Sequence, residues 1–182
     1  MEQPISLRTV ASAELTAAEW STLTALCVAA FDEPWDDYWE NIGPGVHVLA
    51  EDAERGIVAH AAIVDRFLYP GELTLRTGYV EAVAVWPDLQ RGGLGTRVME
   101  VIGAMLDERY ELGALGTGSH AFYERLGWVA WHGPTSIRER DGRRVRSAEE
   151  DGNLLVRLTP KTPGLDLSLP IAVDWRPGDE VW

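Results

Sequence analysis

An α+β fold, with a central, mostly antiparallel mixed β-sheet flanked by helices on both faces, is what this sequence predicts, and two observations carry the prediction. Three β-branched runs, residues 46–51, 56–69 and 73–86, follow one another with turn signals at 51–56 and at Pro70-Gly71, as in an antiparallel meander. At residue 93 the hydrophobic period switches from two to 3.6. From there Leu94, Val98, Val101, Ile102, Met105 and Leu106 share one helical face, opposite Arg97, Glu100 and Asp107. A meander followed by strand and helix in alternation belongs to the α+β class.

The other elements follow in order. Residues 16–31 read as a helix: Thr16 is placed to cap it, with Glu19 three residues on, and Trp20, Leu23, Leu26, Cys27 and Ala30 fall on one face. Cys27, the single cysteine, is therefore expected in the core. After the second helix come a short strand (112–115), a short helix (121–126) and strands at 128–132 and 154–158. Residues 138–152, the most polar segment, are expected to form a mobile loop. The stretch 159–182 carries Pro160, Pro163, Pro170 and Pro177 and is expected to cross the surface in extended form. At 182 residues the chain is expected to be one domain.

Charge narrows the function. With 29 acidic and 16 basic residues the net charge is −13, which repels nucleic acid and anionic membranes and suits a cationic small molecule. Residues 32–40 concentrate this charge: Asp32, Glu33, Asp36, Asp37 and Glu40 alternate with Trp35, Tyr38 and Trp39, with no base among them. The same segment could equally be a solvated helix start. No apolar leader and no run of about 18 apolar residues appears, so a cytoplasmic protein is expected. The four histidines and one cysteine lack the spacing of a metal site, and none is expected. His47, His60 and His132 fall in predicted strands and read as packed or partly exposed residues rather than catalytic ones.

The strand-to-helix junction at 83–96 holds the strongest chemical signal. Gln90, Arg91, Gly92, Gly93 and Gly95 sit where a strand gives way to a helix, so main-chain N–H groups can approach a pyrophosphate. The Lys-Ser/Thr of an ATP-binding loop and the glycine spacing of a dinucleotide fold are both missing. Alone, the run could also be a flexible turn. Glu81 interrupts an apolar strand just before it, either as a chemical group or as an edge-strand glutamate in water or a paired core acid.

Gln90-x-x-Gly93-x-Gly95 after a Val83-Ala84-Val85 strand end resembles the acetyl-CoA loop of the GCN5-related N-acetyltransferase (GNAT) superfamily. The run from Ala121 through Tyr123 to Gly127-Trp128 resembles its late helix-to-strand signature. Within the superfamily the chain resembles the aminoglycoside 2'-N-acetyltransferases, through Gly78 to Val85, Leu112 to Leu115, Trp131-His132-Gly133-Pro134-Thr135-Ser136, Glu149 to Gly152, and Asp174-Trp175-Arg176-x-Gly178-Asp179 close to Trp182. The resemblance implies acetyl-CoA as cofactor, with the backbone of Val83, Ala84 and Val85 on the pantetheine and the amides of residues 91–96, Thr96 included, on the pyrophosphate. It makes Glu81 the general base and Tyr123 the acid that protonates the departing thiolate. It assigns substrate contacts to Glu33, Asp36 or Asp37, Ala82, Thr117 or Ser119, Glu150, Asp151, Asp179 and Trp182, the last through its carboxylate, and it implies a homodimer. Three departures, Tyr38 where an acid is expected, a shortened 116–120 stretch and an extra residue before Trp182, all touch the acceptor site. They favour a smaller aminoglycoside of the kasugamycin kind. The competing readings are a polyamine or protein N-terminal acetyltransferase and a non-catalytic acyl-CoA or antibiotic sensor.

Overall fold

The computed structural model describes residues 5–35, 37–178 and 181–182. Backbone contacts group the chain into two compact units, Met1–Val64 with Val80–Ile102, and Asp65–Tyr79 with Gly103–Trp182. The elements are α and β together, and every described strand pairing is antiparallel except two.

In the first unit β1 (Ser6–Ala11), β2 (Gly45–Asp52) and the opening part of β3 (Gly56–Pro70) pair antiparallel in sequence order. The β2–β3 hairpin is the expected one; β1 was not expected, because six residues with one buried side chain leave little periodicity to read. Helix α1 (Ala17–Phe31) begins as its sequence dictates. The Thr16 hydroxyl accepts from the Glu19 N–H at 3.2 Å, and the Glu19 carboxylate accepts from the Thr16 N–H at 2.7 Å, so two otherwise unpaired amides are satisfied. Leu23, Leu26 and Cys27 are fully buried and pack with Val10, Leu15, Trp35, Leu49, Ile57, Ala82 and Ala84. The second part of β4 (Leu75–Val85) leads through a 3-10 turn (Pro87–Leu89) into α3 (Leu94–Arg109), and a short helix, α2 (Tyr38–Ile42), takes in the end of the acidic run.

In the second unit the strand order is β6 (Val129–Ala130), β9 (Leu154–Leu158), β5 (Leu112–Gly116), β4, β3, β10 (Ile171–Asp174), β7 (Thr135–Arg138) and β8 (Arg144–Arg146). Helix α4 covers His120–Glu124. Two expectations are overturned here. Residues 171–174 do not cross the surface: Ile171, Ala172 and Val173 are buried, antiparallel to β3 and parallel to β7, because three consecutive apolar residues need only two neighbours to become an interior strand. Residues 138–152 are not a loop throughout. Arg144–Arg146 folds back on Thr135–Arg138 as a hairpin whose turn closes at Gly142, φ 84°, with its N–H on the Glu139 carbonyl at 2.8 Å. Asp141-Gly142 is the hairpin dipeptide that could have revealed it.

The run Trp131-His132-Gly133 lies directly on residues 167–169. The His132 and Gly133 N–H groups donate to the Leu167 carbonyl (2.9 and 3.1 Å), and the Trp131 indole donates to that of Leu169 at 2.9 Å. A Cβ on Gly133 would stand 1.8 Å from the Leu169 carbonyl oxygen, so only glycine fits.

Candidate functional site

In the first unit the sequence-predicted donor residues and the predicted base are consecutive in one stretch of backbone. Glu81 is 6% exposed although ionisable, and its Oε2 accepts from the Tyr38 hydroxyl at 2.7 Å. Forty-three residues separate the two, so this bond joins the acidic segment to β4 through the one position where that segment lacks the expected acid. A charge-assisted bond of this kind is worth about 1.5–3 kcal/mol, enough to hold the carboxylate in one orientation. The Tyr38 ring packs on Trp35 at a centroid distance of 4.0 Å and edge-on to Trp39 at 6.0 Å.

The rest of the acidic segment divides by exposure. Asp32, Glu33, Asp37 and Glu40 are exposed, Asp36 lies outside the described residues, and Trp35, 4% exposed, belongs to the core and offers no face to a ligand. Asp32 also ends α1 in a left-handed conformation, φ 57°.

Residue 82 kinks the strand: Ala82 has φ 53°, a conformation that costs a residue with a Cβ about 1–2 kcal/mol. Beyond it Val83, Ala84 and Val85 run to the loop. The Gln90 side-chain amide donates to the Val85 carbonyl at 3.2 Å, and the Trp86 indole donates to that of Ile57 at 3.0 Å, closing the strand end. Arg91 and Gly93 both have positive φ, 65° and 84°, and no atom lies within 4 Å of where a Gly93 Cβ would be. The first turn of α3 closes when the Arg97 N–H reaches the Gly93 carbonyl at 3.1 Å, so the amides of Leu94, Gly95 and Thr96 precede the helical ladder and carry the positive end of its dipole. Gln90, Arg91, Gly92 and Gly93 are exposed. Open backbone above glycine and unspent N–H groups are what a pyrophosphate requires, so these residues fit coenzyme A.

The second unit holds the remaining predicted residues. Tyr123, on α4, is half-buried, and burial pushes its phenol up to about 12, so it stays protonated across the physiological range. The Thr117 hydroxyl accepts from the Ser119 N–H at 3.0 Å, which leaves Ser119 the more exposed of the two. Asp151 is engaged internally: it accepts from the Thr135 N–H at 3.0 Å and forms an ion pair with Arg146, and these partners push its carboxyl far below the usual range, Arg146 first. Glu150, half-buried one residue earlier, has no such staple among the bonds described. Trp182 is 8% exposed, its indole donating to the Ser147 hydroxyl at 2.9 Å, while Arg66 donates to the carbonyl of Val181 at 2.6 Å. Asp179 lies outside the described residues. Cys27, fully buried with its thiol pushed up to about 12 by desolvation, is no nucleophile.

Sequence reasoning missed Tyr38 as the partner of Glu81, and it read His47 and His60 as packed or partly exposed strand residues. They are buried and bonded to each other: His47 Nδ1 lies 2.8 Å from His60 Nε2, and His60 Nδ1 lies 2.8 Å from the carbonyl oxygen of Ala82. Burial pushes His47 down to about 4 and His60 down to about 3 from an ordinary 6.5. Both stay neutral when folded, so between about pH 6.5 and 4 the unfolded chain binds more protons and stability is lost as pH falls. Glu19, held at about 2 by Thr16 and Arg8, adds its own loss only below 4.5. The urea midpoint should therefore drop between about pH 7 and about pH 5, and drop less in His47→Phe. An equal drop in that variant would assign the effect to other groups.

The sequence matches the nodulation protein A (NodA) family profile over residues 9–179. An aminoglycoside 2'-N-acetyltransferase of Mycolicibacterium fortuitum is 39% identical over 163 residues, 86% of this chain and 82% of that protein. A nodulation protein A of Bradyrhizobium sp. (strain NC92) is 35% identical over 134 residues, 73% of this chain and 62% of that protein. Among solved structures, the GNAT family N-acetyltransferase YhbS of Escherichia coli, in complex with CoA, superposes with a TM-score of 0.62 at 14% identity, covering 95% of this chain and 92% of that one. That likeness fixes the fold, in agreement with the α+β architecture read from the sequence.

Proposed function

Because the chain belongs to the nodulation protein A family and shares the fold of a GNAT family N-acetyltransferase, we propose that it acetylates the 2'-amine of an aminoglycoside antibiotic from acetyl-CoA, giving resistance. The observation that carries the reading is the 39% identity to an enzyme of that activity over most of both chains. The buried Glu81 beside the kinked donor strand supports it. Acetyl-CoA, when bound, supplies an acetyl group activated as a thioester.

The protein's own residues do the rest. Glu81, directly or through a water, takes the proton that the acceptor's ammonium must lose before its nitrogen can attack, and Tyr38 keeps the carboxylate aimed. Main-chain amides from Val83 to Val85 stabilise the carbonyl oxygen as charge develops on it. Tyr123 returns a proton to the departing thiolate. Exposed Glu33 and Asp37, with Glu150, pair with the acceptor's ammonium groups. Replacement of the expected acid by Tyr38 removes one cation partner, which favours a smaller aminoglycoside of the kasugamycin kind. The form proposed is a cytoplasmic homodimer, checked by fractionation and light scattering.

Thiol release from acetyl-CoA, measured with gentamicin-, kanamycin- and kasugamycin-type compounds and with spermidine, tests the assignment. Turnover on spermidine alone would replace the antibiotic by a polyamine, and binding without any turnover would make the protein a sensor. Gly93→Val should weaken coenzyme A binding about tenfold, since a β-branched side chain at φ 84° costs about 1–2 kcal/mol. Unchanged affinity by titration calorimetry would remove the 90–96 loop from the donor site.

A further inference from the structure

Four hydrogen bonds in series end on the kinked residue of β4. The Gly45 N–H lies 2.8 Å from Ser12 Oγ, which lies 2.8 Å from His47 Nε2; His47 Nδ1 meets His60 Nε2 at 2.8 Å, and His60 Nδ1 meets the Ala82 carbonyl at 2.8 Å. Chemistry fixes the direction of the whole series. A carbonyl only accepts, so His60 Nδ1 carries a proton; in a neutral ring Nε2 then accepts, so His47 Nδ1 carries one too; His47 Nε2 then accepts from the Ser12 hydroxyl, the nearer of that hydroxyl's two acceptors (2.8 Å, against 3.1 Å to the Gly45 carbonyl), and the Ser12 oxygen accepts from the Gly45 N–H. Trp39 lies against both imidazoles (centroids 6.1 and 5.7 Å) and Trp20 against His47 at 5.2 Å, and both imidazoles are buried.

The far end matters because a peptide unit is planar and trans, and no cis bond occurs among the described residues. The carbonyl oxygen of Ala82 and the N–H of Val83 therefore point in opposite directions. Glycine at 82 would accept the kink without strain but leave this plane free to rotate. Alanine at φ 53°, held by an imidazole, fixes it.

We propose that His60, backed by His47 and Ser12, is a positioning residue for acetyl transfer: by holding the Ala82 carbonyl it turns the Val83 N–H, before any ligand arrives, to the side where the acyl donor lies. The inference rests on the donor-site reading above. Aiming a donor in advance spares reorganisation during the reaction, and loss of one such donor costs about 10²- to 10³-fold in the best-studied enzymes.

The test begins with the unaltered protein. Long-range nitrogen–proton NMR of the histidine rings should show both imidazoles neutral and protonated at Nδ1. A proton on Nε2 of His60 would overturn the proposal, since Ala82 would then lack its donor. Next, His60→Asn keeps a donor near the Nδ1 position and His60→Leu does not. With the best-acetylated compound of the panel, His60→Leu should lose about tenfold or more in kcat with the amine KM little changed, and His60→Asn should recover most of it. Equal kcat values for the two variants, or a leucine variant with the activity of the parent, would leave only a structural role and overturn the proposal. If the leucine variant does not fold, Ser12→Ala serves instead: it should shift the Val83 amide resonance from two rings away, and an unmoved resonance would again overturn it. Failure of the underlying reading looks different, as coenzyme A would then leave the amides of residues 83–85 unperturbed while the tautomers stay as stated.

Discussion

Glu81→Gln is expected to cut turnover by about 10²- to 10⁴-fold, the usual contribution of a positioned proton acceptor, while coenzyme A affinity stays within about threefold. Glutamine keeps the shape of a side chain that is 6% exposed and keeps an oxygen for the Tyr38 hydroxyl, so packing and the 2.7 Å bond survive. What disappears is the capacity to accept the ammonium proton. Tyr38→Phe separates aiming from chemistry: the carboxylate remains but loses this one partner, and turnover should fall by roughly tenfold, less than for Glu81→Gln, because one hydrogen bond to a charged group is worth about 1.5–3 kcal/mol at most. Single-turnover measurements at saturating acetyl-CoA check both. A fully active Glu81→Gln would end the assignment of the base.

Gly133→Ala should be strongly destabilising. Its Cβ would lie 1.8 Å from the Leu169 carbonyl oxygen and 2.7 Å from that of Ser168, both main-chain atoms that cannot swing aside as a side chain could. Separating the two segments would also break the bonds from His132, Gly133 and the Trp131 indole. A cost of about 3 kcal/mol or more follows, which for a chain of this size lowers Tm by roughly 6–12 °C. Calorimetry that found Tm within about 2 °C of the parent would mean that residues 131–133 and 167–169 do not touch.

These two positions show what the sequence could and could not disclose. The strand, loop and helix at 83–96 were legible because each signal is local: a β-branched run, clustered glycines, then a change of period. The capping of α1 was legible for the same reason. The Trp131 to Ser136 motif was visible as a family signature but not as a mechanism. Its residues act on the fold, Gly133 by close approach and Thr135 by bonding Ser147 and Asp151. Strand β10 was hidden because Pro170 precedes it and both its neighbours lie far away in sequence. Arg144–Arg146 was hidden because all three residues are exposed and leave no hydrophobic alternation. The bond from Tyr38 to Glu81 and the path from Ser12 to Ala82 depend on side chains that only folding brings together, and no spacing rule encodes them.

The hairpin around Asp141-Gly142 has a practical use. Its turn is exposed, and the chain's single native thiol, that of Cys27, is fully buried and held protonated. A cysteine placed at residue 141 would therefore react alone with a maleimide dye, giving a singly labelled protein for fluorescence work without first removing the natural sulfhydryl.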